Sequence, residues 1–294
     1  MSEHSLELWD ACASGNLDLA KFLLNSNLSL DMNWRGLEKG DTPLHRACRF
    51  GHLHLVEILL KLSTVDVNAE NAGLATPFLI ACQNGHTEVV LLLMADMRVD
   101  LNKPAKDLTT PLWFASQNGR LDIVQFMLAS DREVHTKTKC AAGPAAWNDK
   151  TTAEIGRLQA TRNIVSYESE EDYKLSQQNG PLIADLIDAF NLDPVLTRQQ
   201  LRELPELRDF FISDLFAQVI FLCEDLLTVR AESSASSSAN NNNKAARFFQ
   251  IARCLPIELQ MMLCNRVFGA GKDMVLTKHS EPAFKKLGLA LTRS

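Results

Sequence analysis

Seven cysteines and seven histidines are the side chains of this 294-residue sequence best equipped for chemistry, as nucleophiles, metal ligands or proton carriers. Their spacing argues against each role. The cysteines stand at 12, 48, 82, 140, 223, 254 and 264 with no C-x-x-C pair, so free buried thiols are expected and a zinc or redox site is not. His135 near Cys140 has the residue types of a base and a nucleophile, yet "REVHTKTKCAAG" reads as a surface insertion and supplies no third group to orient the imidazole. "GAGKD" from Gly269 fails as a phosphate loop, because Arg266 stands where the first glycine belongs and Asp273 where a hydroxyl should reach magnesium. Neither a G-x-S-x-G turn nor an H-E-x-x-H pair occurs. The expectation is a protein without catalytic, cofactor or metal residues.

The remaining chemistry is recognition, and a repeat must position it. "TPLHRACRFGHLHLVEILL" begins at Thr42, "TPFLIACQNGHTEVVLLLM" at Thr76 and "TPLWFASQNGRLDIVQFML" at Thr110, with 34 residues between successive threonines. "LELWDACASGNLDLAKFLL" matches upstream, its Ala11 lying 36 residues before Ala47, with Leu6 and Glu7 in place of the Thr-Pro pair. At least four units follow from this. Each threonine hydroxyl can cap the free amides of a helix that proline opens without wasting a donor. Small residues at 47/48, 81/82 and 115/116 suit close helix packing, and Gly51, Gly85 and Gly119 suit left-handed stops. Leu53, Val56, Leu59 and Leu60 recur at helical spacing beyond, so each block reads as helix, tight turn, helix. His52 and His86 share the position after the glycine and read as structural.

Between the blocks, "VDVNAENAGLAT" and "VDLNKPAKDLTT" alternate apolar and polar residues before turn formers, and read as hairpin-like fingers. With its T-P-L-H-x-A start, glycine turn and closing D-V-N from Thr42 to Asn68, the sequence resembles the ankyrin-repeat family. Tetratricopeptide repeats share the period, but their aromatic pattern is absent. The resemblance implies an α fold, an ankyrin solenoid, over residues 5–135 in four units, the first a cap without a preceding finger. It implies non-catalytic protein binding through finger tips and the ends of the first helices: Glu38, Lys39, Asp41, Arg49 and Phe50; Glu70, Ala72, Gln83 and Asn84; Lys106, Asp107, Gln117 and Asn118. Trp113 and Arg120 are nearby additions, and Phe50, Arg49 and Trp113 are the expected anchors. The family's bridging histidine is present as His45 but is replaced by Trp9, Leu79 and Trp113 elsewhere, which puts local regularity in doubt. A degenerate fifth repeat opening at Thr152, with about eight residues added to its finger, and an acidic linker with "YESEEDY" occupy 136–179.

Residues 180–294 read as an all-helical domain, with Phe211, Leu215, Val219, Leu222 and Leu226 along one stripe and a Ser/Asn-rich disordered loop at 232–243. Pro256 opens a further helix in which "LPIEL" looks like an F-box opening, so an alternative makes the protein a ubiquitin-ligase substrate adaptor docking through Leu255, Pro256, Glu258 and Leu259. The net charge of −6 divides into −12 over residues 1–232 and +6 over 233–294. The basic residues of the tail are dispersed without interleaved aromatics, so docking on the acidic middle is favoured over nucleic acid. Composition is that of a globular protein, and neither a secretory signal nor a bilayer-spanning run is visible, so an intracellular, cytoplasmic or nuclear, protein is expected, bound to another protein rather than a small molecule.

Overall fold

Short helices cannot hold themselves in water, so those of this sequence must be stabilised by stacking. The computed structural model describes residues 3–26, 29–37, 39–141, 147–161, 170–208 and 210–212. Two compact units divide the chain, Met1–Arg198 and Gln199–Ser294. In the first, α1 (Glu3–Ser14), α3 (Pro43–Arg49), α5 (Pro77–Asn84), α7 (Pro111–Gln117) and α9 (Thr152–Gln159) stack in order as an inner row. Behind them run α2 (Leu17–Asn25), α4 (Leu53–Leu60), α6 (Thr87–Ala95) and α8 (Leu121–Ala129), each packed on its own inner helix. No strand occurs among the described residues.

The caps form as the threonines require. The hydroxyls of Thr42, Thr76 and Thr110 accept from the backbone N–H of His45, Leu79 and Trp113 at 3.4, 3.2 and 3.2 Å. Ala11, Ala47, Ala81 and Ala115 are buried where inner helices meet, as are Cys12, Cys48, Cys82 and Ser116. The glycine turns take positive φ, from +66° at Gly119 to +76° at Gly15. Each leaves a hollow filled by the following unit: a Cβ on Gly51 would lie 2.6 Å from the His86 ring, and one on Gly15 2.7 Å from that of His52. His86 Nε2 meets the Arg49 carbonyl at 2.9 Å. The post-glycine histidines are therefore packing elements.

A helix does open at Thr152, where the sequence places the start of a fifth unit. Thr151 is the cap, and Glu154 closes a reciprocal box by accepting from the Thr151 N–H at 2.8 Å. The unit opens 41 residues after Thr110 rather than 34, so the finger has gained seven. Its outer partner is α10 (Glu170–Leu192), more than twice the length of the other outer helices, packed on α7, α8 and α9. This helix passes through 180 unbroken, and the two compact units divide after Arg198. Helices α9 and α10 meet at a glycine crossing: a Cβ on Gly156 would stand 2.7 Å from the Gly180 carbonyl oxygen, and one on Gly180 would strike that of Gly156. Only bare backbone lets α9 and α10 approach so closely.

After α10, α11 (Pro194–Glu203) runs across the division. In the second unit Leu201, Leu207 and Ile212 are buried, and the Arg202 guanidinium lies 4.9 Å from the Phe211 ring. The Ser/Asn-rich stretch 232–243, the "LPIEL" segment, Cys223, Cys254, Cys264 and Glu38 lie outside the described residues.

Candidate functional site

The fingers are built by two ladders. In one, Asp31, Asp66 and Asp100 each accept, through Oδ1, the N–H of an asparagine two residues on, Asn33, Asn68 and Asn102. Those asparagines bridge to the next unit with both ends of the amide. Asn68 Nδ2 donates to the Arg98 carbonyl at 2.6 Å while its Oδ1 accepts from Asp100 N at 2.8 Å, and Asn33 and Asn102 repeat the pattern. The second ladder joins the tips: Ala72 N donates to Lys39 O, Lys106 N to Gly73 O and Ala141 N to Asp107 O, at 2.9, 2.9 and 2.8 Å. Each finger closes on itself, as in Ala105 N to Thr109 O at 2.9 Å, around a left-handed residue, Gly40, Leu74 or Leu108. Their backbone polar groups are thus engaged, and the tip side chains face solvent on fixed supports.

The ring position resolves the irregularity raised by the sequence. His45 accepts at Nδ1 from Thr42 N at 3.1 Å, which leaves Nε2–H to donate to Ala75 O at 2.9 Å. Burial holds its pKa below the usual 6.5, with the Ala75 bond opposing. Trp9 and Trp113 make the same bond with the indole: Trp9 Nε1 donates to Asp41 O at 2.7 Å and Trp113 Nε1 to Lys150 O at 3.3 Å. Leu79 keeps only the packing.

Among the expected contact residues, Lys39, Phe50, Ala72, Asn84 and Lys106 are exposed, and Phe50 retains 46% of its surface. Two are corrected. Trp113, 2% exposed, is buried with Cys140 and Ile155 beneath the long fifth finger, and is a structural tie rather than an anchor. Asp41, 1% exposed, is consumed by Arg49 Nη2 at 2.8 Å and Asn71 Nδ2 at 2.8 Å. Others are partly spent: Glu70 pairs with Lys103 at 3.0 Å, Asp107 accepts from Thr109, Asn118 Nδ2 donates to Gln83 O, and Arg120 pairs with Asp172 of α10 at 2.7 Å. Gln117 is half-buried.

Sequence reasoning missed Arg46 and two finger-tip leucines, Leu74 and Leu108, which are 42% and 47% exposed. Their common offset of 34 residues, matching Gly40, was the available signal. Arg46 lies 4.3 Å from the Trp9 ring centre and 5.0 Å from that of Phe50.

The thiols of Cys12, Cys48 and Cys82 are set against reactivity. Burial pushes the Cys12 thiol up to about 12 and those of Cys48 and Cys82 further, which keeps them protonated. No group of three or more metal-ligating side chains occurs among the described residues, and His135 faces Glu133 at 3.4 Å. A cleft of about 570 Å³ opens beside the ladder's end, lined by Asn102, Lys103, Glu133 and His135. No described helix is long and apolar enough to cross a membrane.

Comparison with known proteins agrees with this geometry. A profile of ankyrin repeats in many copies matches residues 8–60, and one of ankyrin repeats in three copies matches 66–138. The mouse serine/threonine-protein kinase TNNI3K is 50% identical over 50 residues, 17% of this chain and 6% of its own length. The rat TNNI3K is 51% identical over 45 residues, 15% of this chain and 5% of that protein. Matches so short bear on the repeats alone. With its inner and outer helix rows, capped threonines, left-handed turns and laddered fingers, the segment from residue 8 to 138 consists of ankyrin repeats.

Proposed function

We propose that this chain is a non-catalytic, intracellular scaffold that grips a protein partner along the finger tips and the exposed ends of the inner helices. The observation that carries the reading is the tip ladder, which fixes the backbone of Lys39, Ala72, Lys106 and Asp107 while leaving side chains of the first three in solvent. Rigid presentation lowers the ordering cost of association. Phe50, Leu74 and Leu108 supply apolar contact on the same framework.

The test is affinity purification of the tagged full-length protein from its own cells beside a variant carrying Phe50→Ala, Leu74→Ala and Lys106→Ala, with thermal melting of both. Partners lost from a variant that melts normally support the surface; partners kept in full remove it. Arg49 is left intact because its removal would strand the buried Asp41 carboxylate. The ligase-adaptor alternative rests on Leu255, Pro256, Glu258 and Leu259 alone. It requires a ligase linker subunit to co-purify and to be lost on Leu255→Ala with Pro256→Ala.

A further inference from the structure

Arg46 is a cation held between two aromatic rings, with no counter-ion among the described residues. Its guanidinium lies against Trp9 at 4.3 Å and Phe50 at 5.0 Å, and no carboxylate pairs with it among the described residues. Its Nε is buried with no hydrogen-bond partner. An arginine donor shut away from water costs free energy unless something accepts from the guanidinium. The rings explain why the side chain stays in position, since stacking on aromatic faces suits its planar, weakly hydrated head.

Basic residues flank Arg46 although residues 1–232 carry a net −12. Arg35 and Lys39 belong to the finger whose Gly36 abuts Trp9, a Cβ there lying 2.6 Å from the indole. Arg49 follows one turn after Arg46 on the same helix. Two acidic groups described nearby are already engaged, Asp41 by Arg49 and Asn71 and Glu70 by Lys103. Phe50, half in solvent, gives an apolar edge beside the cation.

From this charge complementarity we infer that the Trp9–Arg46–Phe50 cluster is a subsite for a carboxylate side chain of an acidic protein segment. The inference rests on the scaffold reading above and names the chemistry of its partner. A carboxylate would receive the guanidinium donors in charge-assisted bonds while its stem packs on the Phe50 edge. Arg46 is a better reader than Arg49, whose Nε and Nη2 already face Asp41 at 3.2 and 2.8 Å.

The experiment selects a random displayed peptide library against the full-length protein and measures the recovered peptides by fluorescence anisotropy. Enrichment of Asp or Glu is expected, and exchanging the key acid for its amide on the wild-type chain should weaken binding by about tenfold. Arg46→Gln should produce a similar loss, with no further loss when the two changes are combined, and Arg46→Lys an intermediate one. Recovered peptides without acidic enrichment, or acidic ones indifferent to Arg46→Gln and to the amide exchange, overturn the inference and leave the scaffold reading standing. Failure to recover any peptide removes both. Tighter binding of a single-stranded oligothymidylate, lost with Arg46→Gln, overturns the inference in favour of nucleic acid. The amide exchange needs no protein variant, so misfolding of Arg46→Gln cannot rescue the idea.

Discussion

Trp9 and Trp113 occupy the same position of the repeat and donate the same indole hydrogen bond to the residue before the next helix cap, yet one is half-buried and the other is closed off. The difference lies in what covers them. Over Trp9 the following finger leaves the ring against Trp34 at 5.9 Å and Arg46 at 4.3 Å. Over Trp113 the long fifth finger adds Trp147 at 6.3 Å and Cys140, and α9 adds Ile155. Position within a unit sets the bond, and the neighbouring unit sets availability.

Replacing each residue of this position in turn breaks or sharpens the contrast. Trp113→Ala should have the largest effect, a loss of about 3–5 kcal/mol in denaturant unfolding, because a fully buried ring leaves a cavity. Gly180→Val acts on the same end from outside. It should cost about 1–3 kcal/mol and raise amide exchange in α9 and α10, since its Cβ meets the Gly156 carbonyl. Trp9→Ala should cost less than Trp113→Ala, about 1–2 kcal/mol, while releasing Arg46; equal losses at the two tryptophans would erase the distinction drawn here.

A smaller effect belongs to His45. Its folded pKa lies below its unfolded value of about 6.5, so the unfolded chain takes up a proton first as the solution is acidified. The contribution of His45 is present in full above about pH 6.5 and declines below it. Urea midpoints should fall on the acid side more steeply for wild type than for His45→Gln. Smallest is Leu79→His, where a gained hydrogen bond to the Thr109 carbonyl offsets lost apolar burial and the net change should stay within about 1 kcal/mol. A loss of several kcal/mol would show that the vacant bond position is closed to a polar ring.

The repeat was legible because its signals are local: Thr-Pro caps, glycine stops and D-x-N finger starts fall at one period and each does its work within a few residues. Trp113 was misjudged because burial there depends on a finger lengthened between Thr110 and Thr151, whose cap lies outside the 34-residue register. The docking of α10 was hidden for a similar reason. It depends on Gly156 meeting Gly180, two glycines 24 positions apart with no periodicity to link them. Arg46 escaped notice because its significance comes from Trp9, 37 residues upstream, as much as from Phe50.

The glycine crossing also fixes how such a chain can lengthen over generations. A copied 34-residue block inserted among the second, third and fourth units would find its donors and acceptors waiting, since those units present interchangeable ladders. Beyond the fourth unit the inner row continues with α9, but the outer place is taken by the long α10. The backbone of α10 already fills the hollow at Gly119, where a Cβ would lie 2.5 Å from the Ser176 Cα, and it seals Gly156 as well. A copied block can therefore enter among the interior units but not between the fourth unit and α10.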